Sequence, residues 1–181
     1  MTSGYPEAPL TTPEQWRDWI AGYSEQWFAA ASEDDIRLAD LPSGRLTGPP
    51  ADPAAVERAE ATLGRRLPPS LRSFYLVTDG MHEAGLWNER IVALRELAWL
   101  RDTPMGDSFL MVDSDDEQFE RLMNEALQIG LREDTGDYWF VDPGDQTGGE
   151  WAAYTWHPND GSEPERYDSF AALMIELRAQ R

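Results

Sequence analysis

Between Ala126 and Trp156 three apolar runs follow one another with too little chain between them for any crossover helix. Ala126–Leu131, Tyr138–Val141 and Trp151–Trp156 are rich in aromatic and branched residues. They are separated by Asp134-Thr135-Gly136-Asp137 and by a segment beginning Asp142-Pro143-Gly144-Asp145. A parallel connection needs about a dozen residues or more, so these runs are expected to pair antiparallel. Upstream, Ile91-Val92-Ala93-Leu94 reads as a buried strand and Arg95–Arg101 as one or two helical turns.

The first half of the chain is helical in pattern. Thr12-Pro13-Glu14-Gln15 has an N-cap, a proline at the first helical position and a glutamine placed to close a capping box. Trp16, Trp19, Ile20, Tyr23 and Trp27 then recur on one face, predicting a helix to about Ala31 whose stripe packs on the core or on a partner. Core packing is favoured, because three tryptophans in one stripe are costly to leave in water. Leu41–Pro53 is too dense in proline and glycine for helix and reads as a connector. Asp52-Pro53 starts a second helix with Val56, Ala59 and Leu63 inward and Gly64 at its end. Pro68-Pro69 start a third, with Leu71, Phe74 and Tyr75 on one face, before Asp79-Gly80. Ser169–Arg178 closes the chain as a helix burying Phe170, Leu173, Met174 and Leu177. The expected fold is α+β: N-terminal helices, a mainly antiparallel sheet and a closing C-terminal helix. Residues 1–53 form a helical extension and connector, and residues 54–181 the main domain.

Charge and composition exclude more than they assign. The 181 residues carry 34 Asp and Glu against 15 basic residues, all arginine, for a formal charge of −19. Such a surface repels phosphate backbones and anionic headgroups, so neither nucleic acid nor membrane is an expected partner, whereas a basic protein is. No cysteine is present, which removes disulfides, thiolate nucleophiles and cysteine zinc sites. The first residues lack a basic segment followed by an apolar one, and no run approaches the roughly 20 apolar residues of a membrane helix. A cytoplasmic location is expected. His82 and His157 have no patterned second ligand, and Asp113, Asp115 and Glu117 open like a calcium loop but have Gln118 where that loop needs glycine. No phosphate loop, nucleophile elbow or dinucleotide fingerprint appears, so no cofactor and no catalysis are expected.

The order of these elements, and the residues that punctuate them, resemble the SUKH superfamily, whose type members are the yeast Smi/Knr regulators of cell-wall synthesis. The resemblance rests on Val56-Glu57-Arg58-Ala59-Glu60 and Leu63-Gly64-Arg65-Arg66-Leu67-Pro68 leading to Leu71-Arg72-Ser73-Phe74-Tyr75 and Thr78-Asp79-Gly80. It continues through Ala126–Gly130, Tyr138–Pro143, Glu150-Trp151 and Tyr167-Asp168-Ser169-Phe170, covering about residues 54 to 178. Each residue of the signature has a structural reason to exist, and none is a nucleophile, base or metal ligand. What the resemblance implies is protein binding. Bacterial members are mostly immunity proteins that neutralise the toxin domain of a polymorphic toxin, and the yeast members point instead to a regulatory or scaffold role.

A binding surface has two sequence candidates. The acidic run Asp113-Ser114-Asp115-Asp116-Glu117-Gln118-Phe119-Glu120 reads either as a solvated loop and helix start or as a negative face for the basic groove of a nuclease toxin. Asp113, Asp115, Asp116, Glu117 and Glu120 are its contact candidates. Trp87 and Glu89, in a glycine-bounded loop, add an aromatic anchor with a charge beside it. Trp139, Trp151 and Trp156 are assigned to the core.

Overall fold

The structure is a computed structural model that describes residues 10–85, 89–104, 106, 117–132 and 136–180. Helix α1, Pro13–Ala30, starts as its sequence demands: Gln15 N–H donates to the Thr12 hydroxyl while the Gln15 side chain accepts from Thr12 N–H. A short helix α2, Glu33–Leu38, follows. Its signal is local and polar: Ser32 and Asp35 close a second capping box before an exposed helix. Helix α3, Pro53–Leu63, is capped by Asp52 and ends at Gly64 with φ 69°. Of its predicted stripe, Val56 is buried while Ala59 and Leu63 are half-buried against the core. Helix α4 spans Pro69–Tyr75.

The sheet has six strands: β1 Arg90–Ile91, β2 Ala98–Trp99, β3 Leu127–Arg132, β4 Asp137–Thr147, β5 Glu150–Trp156 and β6 Glu165–Tyr167. Their order is β1-β3-β4-β5-β6 with β2 also on β3, and every pairing is antiparallel. Helix α5, Glu117–Glu125, precedes β3, and α6, Phe170–Ala179, closes the chain behind its Ser169 cap.

Three local readings are corrected. The apolar run at Ile91 is a strand only to Ile91, and Leu94 opens a 3-10 turn instead. Asp79 accepts from Leu94 N–H at 2.6 Å and Glu96 from Ala93 N–H at 3.0 Å, so side-chain caps displace the ladder there. The segment Arg95–Arg101 holds β2 between two 3-10 turns. Asp142-Pro143-Gly144-Asp145 is no turn. Strand β4 passes through it by a register shift between Asp142 and Gln146, Pro143 having no N–H to lend the ladder and Asp142 accepting from Gly144 N–H at 2.7 Å. The reversal comes at Gly148 and Gly149, both at positive φ. Strand β6 was also unread, its three residues being too few and too polar to stand out.

Both faces of the sheet are covered, which explains why β4 and β5 read as nearly unbroken apolar runs. Trp139, Val141, Trp151 and Ala153 join the core formed by α1, α3, α4 and α6. Tyr138, Phe140, Ala152, Tyr154 and Trp156 alternate to the other face, beneath Leu122 and Met123 of α5. Phe140 stacks on its register partner Tyr154 at 5.5 Å. The tryptophan stripe of α1 packs inward: Trp16 is fully buried, with ring centroids 5.2 Å from Phe74 and 5.4 Å from Phe170. Arg178 of α6 clasps α1 from the far end, donating to Trp19 O at 3.1 Å and lying over the Trp19 ring. The proline-rich connector is stitched down too, with Asp79 N–H donating to Pro49 O and His82 N–H to Leu46 O.

Helix α4 lacks a cap of its own, since Pro68 occupies the N-cap position. Glu150 supplies one from β5. Its carboxylate accepts from Ser70 N–H at 2.9 Å and from the Ser70 hydroxyl at 2.6 Å, while Ser70 O accepts from Trp16 Nε1 at 2.9 Å. One short chain of hydrogen bonds thus joins α1, α4 and β5. We expect Glu150→Ala to lower unfolding free energy by about 1–3 kcal/mol, and Glu150→Gln by less, since the amide oxygen still accepts. Urea unfolding with an unchanged slope is the measurement, and a Glu150→Ala midpoint equal to wild type would refute the trans cap.

Candidate functional site

Helix α5 is amphipathic by position. Phe119, Leu122 and Met123 face the sheet, and Glu117 and Glu120 stand exposed on the opposite side. Two contacts fix the helix to the sheet. The Phe119 ring meets Trp156 edge-on at 5.3 Å. Arg121 forks onto the fully buried Asp142 with bonds of 3.2 and 2.8 Å, and Gly144 N–H donates to the same carboxylate. A Cβ at Gly144 would come within 2.3 Å of Arg121 Nη1, so this fork requires glycine there. The bulge that sequence reading took for a turn is what aims Asp142 at α5.

Of the predicted contact residues, Glu117 and Glu120 are brought together on this exposed face. Asp113, Asp115, Asp116 and Trp87 lie outside the described residues. Glu89 stands apart from α5, just before edge strand β1, and is 3% exposed. Its main-chain oxygen accepts from Ala84 N–H, and its carboxylate sits so close to Gly85 that a Cβ there would come within 2.4 Å of it.

Beside the bulge lies a charged network that no sequence pattern announced. Arg166 of β6 donates twice to Asp145, at 2.7 and 3.0 Å, and once to Asp168 at 2.8 Å, and the Tyr154 hydroxyl donates to Asp145 at 3.2 Å. Asp145 meets Arg166 and Tyr154 only through the β4–β5–β6 register, while Asp168 lies two residues beyond Arg166. The Arg166 hydrogen bonds, assisted by Tyr154, hold the Asp145 carboxyl below its ordinary range. Arg121 is raised by its hydrogen bonds to Asp142.

On the other side of the sheet, α3 and α4 meet at a tight corner. Glu60 accepts from Leu67 N–H at 3.1 Å and from Arg72 Nε at 3.2 Å, fixing the Leu67-Pro68 turn. Next to this corner is an open cleft of about 610 Å³, lined in part by Arg65, Arg66, Pro69 and Trp151. His157 Nδ1 lies 3.1 Å from Asp137, and burial lowers the pKa of His82. Among the described residues no three His, Asp or Glu side chains are grouped as a metal ion would need, and no helix is long and apolar enough to cross a membrane.

A family model described as SMI1 / KNR4 family (SUKH-1) matches residues 50–176, from just before α3 into α6. No curated protein matches the chain.

The depressed Asp145 carboxyl has a definite linkage sign. Its contribution to stability is complete above the unfolded carboxylate range and is lost as pH falls through the lower folded value. Acid titration of the unfolding midpoint should therefore show wild type losing stability more steeply than Asp145→Asn below about pH 4. Parallel acid limbs for the two proteins would remove Asp145 from the acid response.

Proposed function

The chain belongs to the SMI1 / KNR4 family (SUKH-1), and on that premise we propose that it is a non-catalytic protein-binding module of the cytoplasm, an immunity protein that binds and neutralises a cognate toxin domain. Family membership carries the reading. Residues 54–181 form the binding module on this view, and residues 1–53 an extension whose helix is built into the module's core. The partner is a basic protein, such as a nuclease toxin whose substrate groove is lined with cations, and the immunity protein occupies that groove by imitating the charge of its substrate. Helix α5 suits such a role: Glu117 and Glu120 are exposed on a helix that the Arg121–Asp142 fork and the Phe119–Trp156 contact hold in place, so little ordering is needed on binding. The formal charge of −19 accelerates encounter with a cationic partner.

Co-expression decides between this role and a regulatory one. If the toxin domain encoded beside this gene kills equally well with and without this chain, the immunity reading is lost, and a gene standing alone would favour regulation of a cellular protein. For the face itself, Glu117→Gln with Glu120→Gln should slow association with that toxin roughly threefold and flatten its dependence on salt, with the dissociation rate little changed. An unchanged association rate in stopped-flow would move the interface off α5.

A further inference from the structure

Arginine is the chain's whole supply of side-chain positive charge, and much of it is tied to carboxylates: Arg72 to Glu60, Arg121 to Asp142, Arg166 to Asp145 and Asp168. Like Arg45 and Arg58, Arg65 and Arg66 are not so tied, and these two stand adjacent in the sequence. Both are exposed, and neither forms an ion pair among the described residues, although the chain holds 34 acids. They stand side by side after Gly64, whose φ of 69° turns the chain out of α3, and the buried Leu67 and Pro68 anchor the next two positions. The Glu60 bonds to Leu67 and Arg72 hold that corner rigid. Arg65 and Arg66 consequently line the 610 Å³ cleft, together with Arg72, Pro69, Gln146 and Trp151 among others.

We propose that this cleft receives a short acidic segment of a partner protein, with one or two carboxylates forked by Arg65 and Arg66 and an apolar side chain against Pro69 and Trp151. Guanidinium groups recognise carboxylates by paired, directional hydrogen bonds, and Arg72, already neutralised by Glu60, leaves the two outer arginines as the unmatched charge. The segment must be short. Arg65 and Arg66 act at short range, whereas a long polyanion extends past the roughly 10 Å Debye length into the repulsion of the acidic surface. That argues for a peptide over a nucleic acid strand. The cleft lies beside α3 and α4, across the sheet from α5, so this inference does not rest on the immunity reading.

Fluorescence anisotropy with a fluorescein-labelled peptide GEEFEEG, and GQQFQQG as its neutral counterpart, tests the proposal. At about 50 mM salt the acidic peptide should bind more tightly than the neutral one, and the difference should vanish near 500 mM. Arg65→Glu with Arg66→Glu should weaken acidic-peptide binding by at least roughly tenfold, and the double glutamine variant by an intermediate factor. Arg17→Glu with Arg37→Glu makes the same change in net charge on exposed residues of α1 and α2 and should leave binding within about twofold of wild type. The proposal is overturned if GEEFEEG binds no better than GQQFQQG, if the Arg65 and Arg66 variants bind like wild type, if the two charge-matched pairs behave alike, or if a labelled DNA strand of about eight nucleotides binds more tightly than the peptide.

Discussion

Helix α4 begins with two prolines and no polar cap, and the carboxylate of Glu150, eighty residues away, replaces what is missing. An uncapped first turn in a buried place leaves amide hydrogens without acceptors, so α4 and the start of β5 are stable only together. Trp16 extends the bond: its indole N–H takes the Ser70 carbonyl, and its ring fills the space between Phe74 and Phe170. The two helical segments and the sheet are therefore bound at one point. The Leu-Pro-Pro sequence and the distant Glu-Trp pair are two halves of one device.

Much of this was legible in the residues, and what was not has a physical cause. The helices α1, α3, α4 and α6 announced themselves by caps and apolar stripes, which are local. The antiparallel sheet followed from short connections, and the burial of Trp139, Trp151 and Trp156 from their place in its strands. The errors lay where side chains substitute for the backbone ladder. Asp142 takes the Gly144 amide and lets β4 continue past a proline, and Asp79 with Glu96 ends a strand early at Ile91. Helix α2, with no buried residue, had only its caps to betray it. The site was harder still. Glu117 and Glu120 could be read as an exposed acidic turn, but the fork that steadies them and the Asp145–Arg166 network depend on strand register, which spacing does not reveal. Glu89, grouped in sequence with an exposed loop, is buried because it folds back on Gly85.

Two charged patches lie on opposite faces of the sheet. Acidic α5 lies over the Phe140–Tyr154 face, and the corner carrying Arg65 and Arg66 lies on the Trp139–Trp151 side. A formal charge of −19 suggests a uniformly repulsive surface, yet screening over about a Debye length makes each neighbourhood answer to its own residues. The exposed glutamates of α5 and the paired arginines after α3 therefore answer to different local surroundings.

The sheet's margins limit strand addition. Strand β1 has two residues, and its outer side is already bridged by Met81, while β6 has three and displays Glu165 and Arg166. Neither offers a free row of main-chain donors and acceptors long enough to template an incoming strand. Strand exchange and fibril-like stacking are disfavoured for the same reason. Among the described residues, these margins leave the side chains, rather than the main-chain ladder, as the surface open to change.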